Sequence, residues 1–302
     1  NTDSLLQAAD EACYAAKESG RNRIHVYEPN DDTLERRRGE MQWVSRLHAA
    51  LEEDRFRLFA QTIQGLGSNA DPGFHYEVLI RMVDEEGGLV PPGAFVPAAE
   101  RYGVMPSIDR WVVRNVIQWL SMQQRHLDGL SFCSINLSAP TLSDPEFPHF
   151  IKDLIESSGV PPEKLCFEIT ETSAISNFNQ ALKLISALKE KNCLFALDDF
   201  GSGMSSFGYL KNLPVDFLKI EGSFVREIVS DDTSMALVRS INDIGHVMGK
   251  KTIAEFVEDD AVLAMVAQLG IDYAQGYGIS KPMPLDEFVA SQNAKEPQLV
   301  TG

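Results

Sequence analysis

Leu194-Phe195-Ala196-Leu197-Asp198-Asp199-Phe200-Gly201-Ser202-Gly203 is a short apolar run that ends in two adjacent carboxylates and a glycine-rich turn. An apolar segment of this length, bounded by glycine, reads as a buried strand. Paired aspartates where a strand leaves the core are costly to hold unless something cationic sits between them. A pair of metal ions meets that need, since two cations can share ligands and clamp a phosphoryl group in line. Aspartate close to glycine is also common turn chemistry. The stretch alone therefore leaves a metal site and a capped turn equally open, and the flanking sequence decides.

Working outward, Met41, Val44, Leu47 and Leu51 recur at helical spacing, and strands are predicted over 56–63 and 76–82. In the second, Glu77, Leu79 and Arg81 share one face at period two. Further strands are predicted over 131–137, 165–170, 217–220, 251–256 and 271–275. Helices are predicted over 108–119, 147–154, 178–190, 234–248 and 261–269, with a last helix and a ragged tail after Leu285. Strands alternating with helices at this rhythm predict an α/β chain with a parallel sheet, and roughly eight of them predict a closed (β/α)8 TIM-like barrel. A chain of 302 residues is long for one domain unless it has that architecture.

Composition narrows the function. The net charge of -17 argues against a grip on DNA or RNA polymers and against contact with an anionic membrane surface. It allows a phosphate-bearing ligand if metal ions supply local positive charge. Cys13, Cys133, Cys166 and Cys193 show no CxxC spacing and fall in apolar contexts, which predicts reduced core thiols and a cytoplasmic location. No signal peptide or spanning helix is read, Trp111 to Leu120 being interrupted by Arg114. Beginning at Asn1, the chain reads as an excised part of a longer protein, and a membrane anchor in that parent is left open.

In a barrel of this kind the chemistry belongs at the C-terminal ends of the strands. Those ends supply Glu77, Asn136, Glu168, Asp198 with Asp199, Lys219, Glu255 and Gln275. One buried acid is commonly a satisfied structural residue, but so many at one mouth argue for a site. Oxygen ligands without histidine or thiolate suit magnesium or manganese over zinc.

At these residues a family resemblance emerges. Glu77-Val78-Leu79-Ile80-Arg81, Asn136-Leu137-Ser138, Phe167-Glu168-Ile169-Thr170-Glu171, Asp198-Asp199-Phe200-Gly201-Ser202-Gly203, Leu218-Lys219-Ile220, Ala254-Glu255 with Glu258, and Gln275-Gly276-Tyr277 resemble the motif series of EAL-domain cyclic di-GMP phosphodiesterases. The likeness runs from about Met41 to Phe288, within a barrel assigned to 41–302. Residues 1–28 (Ala8-Ala9-Asp10 through Gly20-Arg21-Asn22-Arg23 and Ile24 to Tyr27) resemble the closing helix and strand of a GGDEF domain without its signature loop, and 29–40 read as a charged linker.

The resemblance implies an EAL-type barrel that hydrolyses cyclic di-GMP to the linear dinucleotide pGpG, with two divalent cations, Mg2+ or Mn2+, as cofactors. It implies that Glu77, Asn136, Glu168 and Asp198 bind one cation, and that Asp198, Asp199 and Glu255 bind a second. Lys219 is implied to orient the attacking water, or to act as a base if its pKa is lowered. Gln61, Leu79, Arg81, Asp216 and Gln275 are implied to contact the ligand. Glu171 is implied to steady the loop Gly201 to Ser206, which the family uses for homodimerisation.

Four departures stand out: Val78, Met82, Glu221 and Phe256 occupy positions where the family commonly carries alanine, tryptophan, aspartate and glycine. Phe256 puts bulk beside Glu255. Two other readings compete. One is a catalytically inactive cyclic di-GMP receptor. The other is a retaining glycosidase using Glu168 and Glu255, against which stand Asp198-Asp199, Lys219 and a total of three tryptophans.

Overall fold

The computed structural model describes residues 43–67, 73–202 and 208–295, apart from the side chains of 293–295. The predicted GGDEF remnant (1–28) and linker (29–40) lie outside the described residues, as do residues 203–206 of the predicted loop.

Eight strands close the barrel: β1 (Phe56–Gly65), β2 (Phe74–Val83), β4 (Leu130–Asn136), β5 (Leu165–Thr170), β6 (Leu194–Phe200), β7 (Phe217–Ile220), β8 (Lys251–Ala254) and β9 (Tyr273–Ala274). Two-residue strands β3 (Leu89–Val90) and β10 (Met283–Pro284) extend β2 and β1. From β2 through β9 the barrel neighbours run parallel. The expected all-parallel sheet is corrected at β1, which is antiparallel to both β2 and β9. The reason is the connection left between the observed strands: residues 66–73 are too few for a parallel crossover, which takes roughly a dozen residues or more.

Period-two alternation divides the apolar residues into two cores. Outward positions such as Val78, Ile135, Phe167, Phe195, Leu197, Leu218 and Ala254 form one large cluster with the surrounding helices. Inside the barrel, Ile63, Phe132, Cys166, Ala196, Phe217, Ile253 and Tyr273 form a second cluster. His75, expected on the strand surface, is instead buried there, its ring 4.8 Å from that of Phe132 and 5.0 Å from that of Tyr273. Cys133, Cys166 and Cys193 are buried free thiols.

The helices lie where periodicity puts them, within a few residues. Met105–Ser121 buries Ile108, Val112, Val116 and Leu120 along one stripe. Asp231 and Asp259 cap Asp232–Val247 and Asp260–Gln268 by accepting from backbone N–H groups in their first turns. Among the described residues no helix is long and apolar enough to cross a membrane.

Asp216 departs from its expected ligand-binding role. It precedes β7 and so sits at the N-terminal rim, opposite the mouth. Its carboxylate accepts from Lys189 Nζ at 2.6 and 2.9 Å and from the Phe195 amide at 2.8 Å. It therefore ties the end of helix Phe178–Lys189 to β6 and β7. Asp216→Ala is expected to lower stability by about 1–2 kcal/mol, the scale of a half-exposed charged hydrogen-bond group. Chemical denaturation checks this, and ligand affinity should be unchanged.

Candidate active site

Each barrel strand that feeds the inner apolar layer carries a polar residue two positions nearer the mouth. His75 is followed by Glu77, Cys166 by Glu168, Ala196 by Asp198, Phe217 by Lys219, Ile253 by Glu255 and Tyr273 by Gln275; on the reversed β1, Gln61 precedes Ile63. Glu77 is only the fourth residue of β2, because that strand runs beyond the barrel rim as part of a hairpin.

Lys219 Nζ lies at the centre of this layer. It is 2.7 Å from Glu168 Oε2, 3.0 Å from Glu255 Oε1, 3.2 Å from Asp198 Oδ1 and 3.5 Å from Glu77 Oε2. Asn136 Nδ2 donates to Glu77 Oε1 at 2.5 Å. Gln275 Nε2 donates to Glu77 Oε2 at 2.7 Å and to Gln61 Oε1 at 3.3 Å, and Gln61 in turn donates to the Ser280 carbonyl. One connected network thus joins eight of the residues singled out in the sequence.

Adjacent residues of a regular strand point to opposite faces, yet carboxylate oxygens of Asp198, Asp199 and Glu255 lie within 4.8 Å of one another. A bulge explains this. Leu197 pairs with Leu218 and Phe200 with Ile220, so Asp198 and Asp199 together oppose the single residue Lys219. Asp199 takes φ +53°, a left-handed conformation that aspartate tolerates better than most residues. Phe256, directly after Glu255, takes φ +51°. The bulk expected to disturb Glu255 does not displace it. The Phe256 ring lies against Gly222, where an added Cβ would come within 1.9 Å of Phe256 Cδ2, and beneath the Arg226 guanidinium at 4.1 Å.

The electrostatics are one-sided. Five carboxylates (Glu77, Glu168, Asp198, Asp199 and Glu255) face one ammonium. Burial pushes the Glu168 carboxyl up to about 8, with Lys219 pulling it back and Glu77 and Asp198 adding to the rise. Burial likewise raises Glu255 well above, and Asp199 above, the ordinary carboxylate range. For Lys219 burial works downward, but Asp198, Glu168, Glu255 and Glu77 outweigh it and raise its pKa well above the ordinary lysine value. Among these protein groups the shift is upward, the opposite of the lowered pKa that a basic Lys219 would need.

A cavity of about 430 Å3 opens over the network. Gln61, Glu77, Leu79, Arg81, Glu255 and Gln275 line it, as predicted residues. Sequence reasoning missed Arg226 on the helix Gly222–Glu227; no motif marks it, and it reaches the cavity because of where that helix starts. Glu258, read as structural, also lines the cavity and pairs with Arg226 at 3.5 Å. Away from the ligand side, Glu171 accepts from Gly201 N at 2.9 Å and from the Tyr209 hydroxyl at 2.5 Å.

The residues present fit hard divalent cations. All nearby acidic donors are oxygens, and the buried atoms Glu168 Oε1 and Asp198 Oδ1 accept no hydrogen bond, although the latter lies within charge contact of Lys219. Two divalent ions would balance five carboxylates and one ammonium.

The model of the EAL domain family matches residues 44–282. The chain belongs to the EAL-domain family. It is similar to the cyclic di-GMP phosphodiesterase PdeB of Shewanella oneidensis, with 40% identity over 95% of this chain and 33% of the relative. It is also similar to the cyclic di-GMP phosphodiesterase PdeF of Escherichia coli, with 37% identity over 80% of this chain and 32% of the relative. This EAL chain thus spans about a third of the length of these curated relatives. Among solved structures, the FimX EAL domain of Pseudomonas aeruginosa bound to c-di-GMP superposes with a TM-score of 0.74 and 34% identity, covering 80% of this chain and 96% of that one. The c-di-GMP complex of the PaMucR phosphodiesterase superposes at 0.75 with 29% identity, over 82% and 99%. The fold is the closed EAL-type barrel, and the motifs read in the sequence belong to an EAL domain and not to a glycosidase.

Because Glu168 holds its proton up to about pH 8, a cation that takes a carboxylate there displaces that proton. Mn2+ binding at pH 7 should therefore release protons, read as a dependence of calorimetric enthalpy on buffer ionisation enthalpy. The release should fade as the pH rises past about 8.

Proposed function

We propose that this EAL domain hydrolyses cyclic di-GMP to linear pGpG in a reaction that needs divalent metal ions. The observation that carries this reading is the convergence of Glu77, Glu168, Asp198 and Glu255 on one ammonium beneath an open cavity. The curated relatives named as phosphodiesterases and the neighbours solved with c-di-GMP support the choice of substrate.

Glu77, Asn136, Glu168 and Asp198 would hold one cation, and Asp198, Asp199 and Glu255 a second. Bound there, Mg2+ or Mn2+ would lower the pKa of a water and neutralise charge on the phosphate under attack. Lys219, as an ammonium, would donate a hydrogen bond to the nucleophile or to a phosphoryl oxygen. The water oxygen would bond to phosphorus, one P–O3′ bond would break, and the departing 3′ oxygen would take up the proton lost by the water and leave as a hydroxyl. Arg81, held over the Phe59 ring and anchored to the Ile80 carbonyl at 2.8 Å, offers a permanent positive charge to a phosphate oxygen. Gln61, Leu79 and Gln275 shape the wall against the ligand. Function as a homodimer, carried by the loop that follows Asp199, belongs to the same proposal.

Chromatography of c-di-GMP incubated with the protein and Mg2+ or Mn2+ should show pGpG, and a chelator should abolish it. Tight binding without turnover under either metal would instead favour a receptor. Lys219→Met should lower kcat by roughly 100-fold or more, because the donor is lost and four acids lose their common partner. Arg81→Ala should act mainly on KM, by about tenfold or more, as expected for one charged hydrogen bond.

A further inference from the structure

Asp109 lies on the helix Met105–Ser121, 3% exposed, and no part of the proposed reaction uses it. Three donors converge on its Oδ2: the Ser138 amide at 2.9 Å, the Ser138 hydroxyl at 2.7 Å and the Thr141 hydroxyl at 2.6 Å. Burial pushes its carboxyl up to about 6 despite these bonds, and Glu100 adds to the rise. A neutral side chain would be less costly to bury at such a position. Two of the donors belong to Ser138, two residues beyond Asn136, and the third to Thr141 in the short helix Ala139–Leu142 that follows.

Leu137 and Leu142 pack that segment into the outer core, while Ser138 between them faces a cavity of about 290 Å3 bordered by Leu79, Met105 and Ile108, so its place rests on the polar bonds to Asp109. On its other side a single backbone bond, Leu137 N to the Glu168 carbonyl at 2.8 Å, ties it to β5. Asn136, the last residue of β4 and in register with Glu168 of β5, comes just before both attachments; it is the one neutral side chain in the proposed cation set, and its amide is hydrogen-bonded to Glu77. Ser138 is two residues along the chain from Asn136, so a shift of the segment reaches the Asn136 side chain through Leu137.

We infer that Asp109 is a positioning residue for the metal site: by clamping Ser138 and Thr141 across the cavity it sets the direction of Asn136 and, through Asn136, of Glu77. The inference rests on the proposed metal reading. It concerns a residue that touches neither substrate nor cation, and its signature is a loss of metal affinity separate from a loss of folding.

The test compares Asp109→Ala, Asp109→Asn and Ser138→Ala with the wild-type chain, by Mn2+ titration calorimetry, thermal denaturation and hydrolysis over a range of Mn2+ concentrations. Asp109→Ala should weaken Mn2+ binding by about tenfold or more, the usual scale for a group that orients a ligand. It should raise the Mn2+ needed for half-maximal turnover by the same factor, with KM for c-di-GMP changed by less than about twofold. Asp109→Asn, which keeps an acceptor oxygen of the same shape, should recover most of the loss. Should Asp109→Ala fail to fold, Ser138→Ala decides, because it deletes one of the three bonds and leaves the carboxylate in place; an intermediate loss of Mn2+ affinity supports the inference. Lower melting temperatures with unchanged Mn2+ affinity in the variants overturn the role of Asp109 alone. A wild-type chain that takes up no Mn2+ overturns the metal reading, and Asp109 with it.

Discussion

One ammonium holds the mouth of this barrel together. Lys219 is 1% exposed and stands within 3.5 Å of carboxylate oxygens from four different strands or strand ends. Bringing four acids to one buried layer is strongly unfavourable unless their charge is met at short range. A single lysine meets only part of it, which is why burial still lifts Glu168, Glu255 and Asp199 above the ordinary carboxylate range. The remaining excess of negative charge is what gives the site its appetite for cations. It also raises the Lys219 pKa, since four surrounding carboxylates favour the charged form.

The barrel makes this concentration of charge tolerable by layering. Directly below the polar tier, Ile63, Phe132, Cys166, Ala196, Phe217, Ile253 and Tyr273 fill the interior and keep water out from beneath. The outer faces of the same strands are packed under the helices. Each strand therefore alternates between three environments: helix-covered outside, dry interior, and the charged tier. The bulge at Asp198 and Asp199 breaks the alternation at one place, and the result is that two consecutive acids serve one side. Local backbone strain of this kind is tolerated where the surrounding fold over-determines it.

Around the site, structural and functional roles fall to residues of the same chemical type. Asp216 precedes β7 and Asp198 lies near the end of β6, and the two similar acids part: Asp216 closes the opposite rim with Lys189 while Asp198 joins the ammonium of Lys219. Glu171 and Glu168 are separated by two residues. The glutamate at 168 enters the barrel, whereas that at 171 starts a helix and takes hold of Gly201 and Tyr209. What distinguishes the members of each pair is position relative to the end of a strand.

Much of this could be read from the chain. The period-two runs located the eight barrel strands, and the spacing of polar residues within them singled out Glu77, Glu168, Lys219, Glu255 and Gln275, because alternation is a local property and inward positions repeat in a predictable way. With strands read over 56–63 and 76–82, the connection between β1 and β2 left room for a parallel pair; the antiparallel hairpin emerged only with the longer strands of the fold. Three further things required the folded chain. Asp216 carries a residue type compatible with ligand contact; its place just before the strand at 217 put it at the rim opposite the mouth, and the fold shows that it holds Lys189 and the Phe195 amide there. Arg226 joins the cavity wall because a six-residue helix turns back over the mouth. The direction of the Lys219 pKa depends on a contest between burial and four charges that are distant in sequence. Composition and periodicity determined the barrel and the identity of its polar tier; distances between remote segments, and hence the sign of every electrostatic effect, were decided only by tertiary structure.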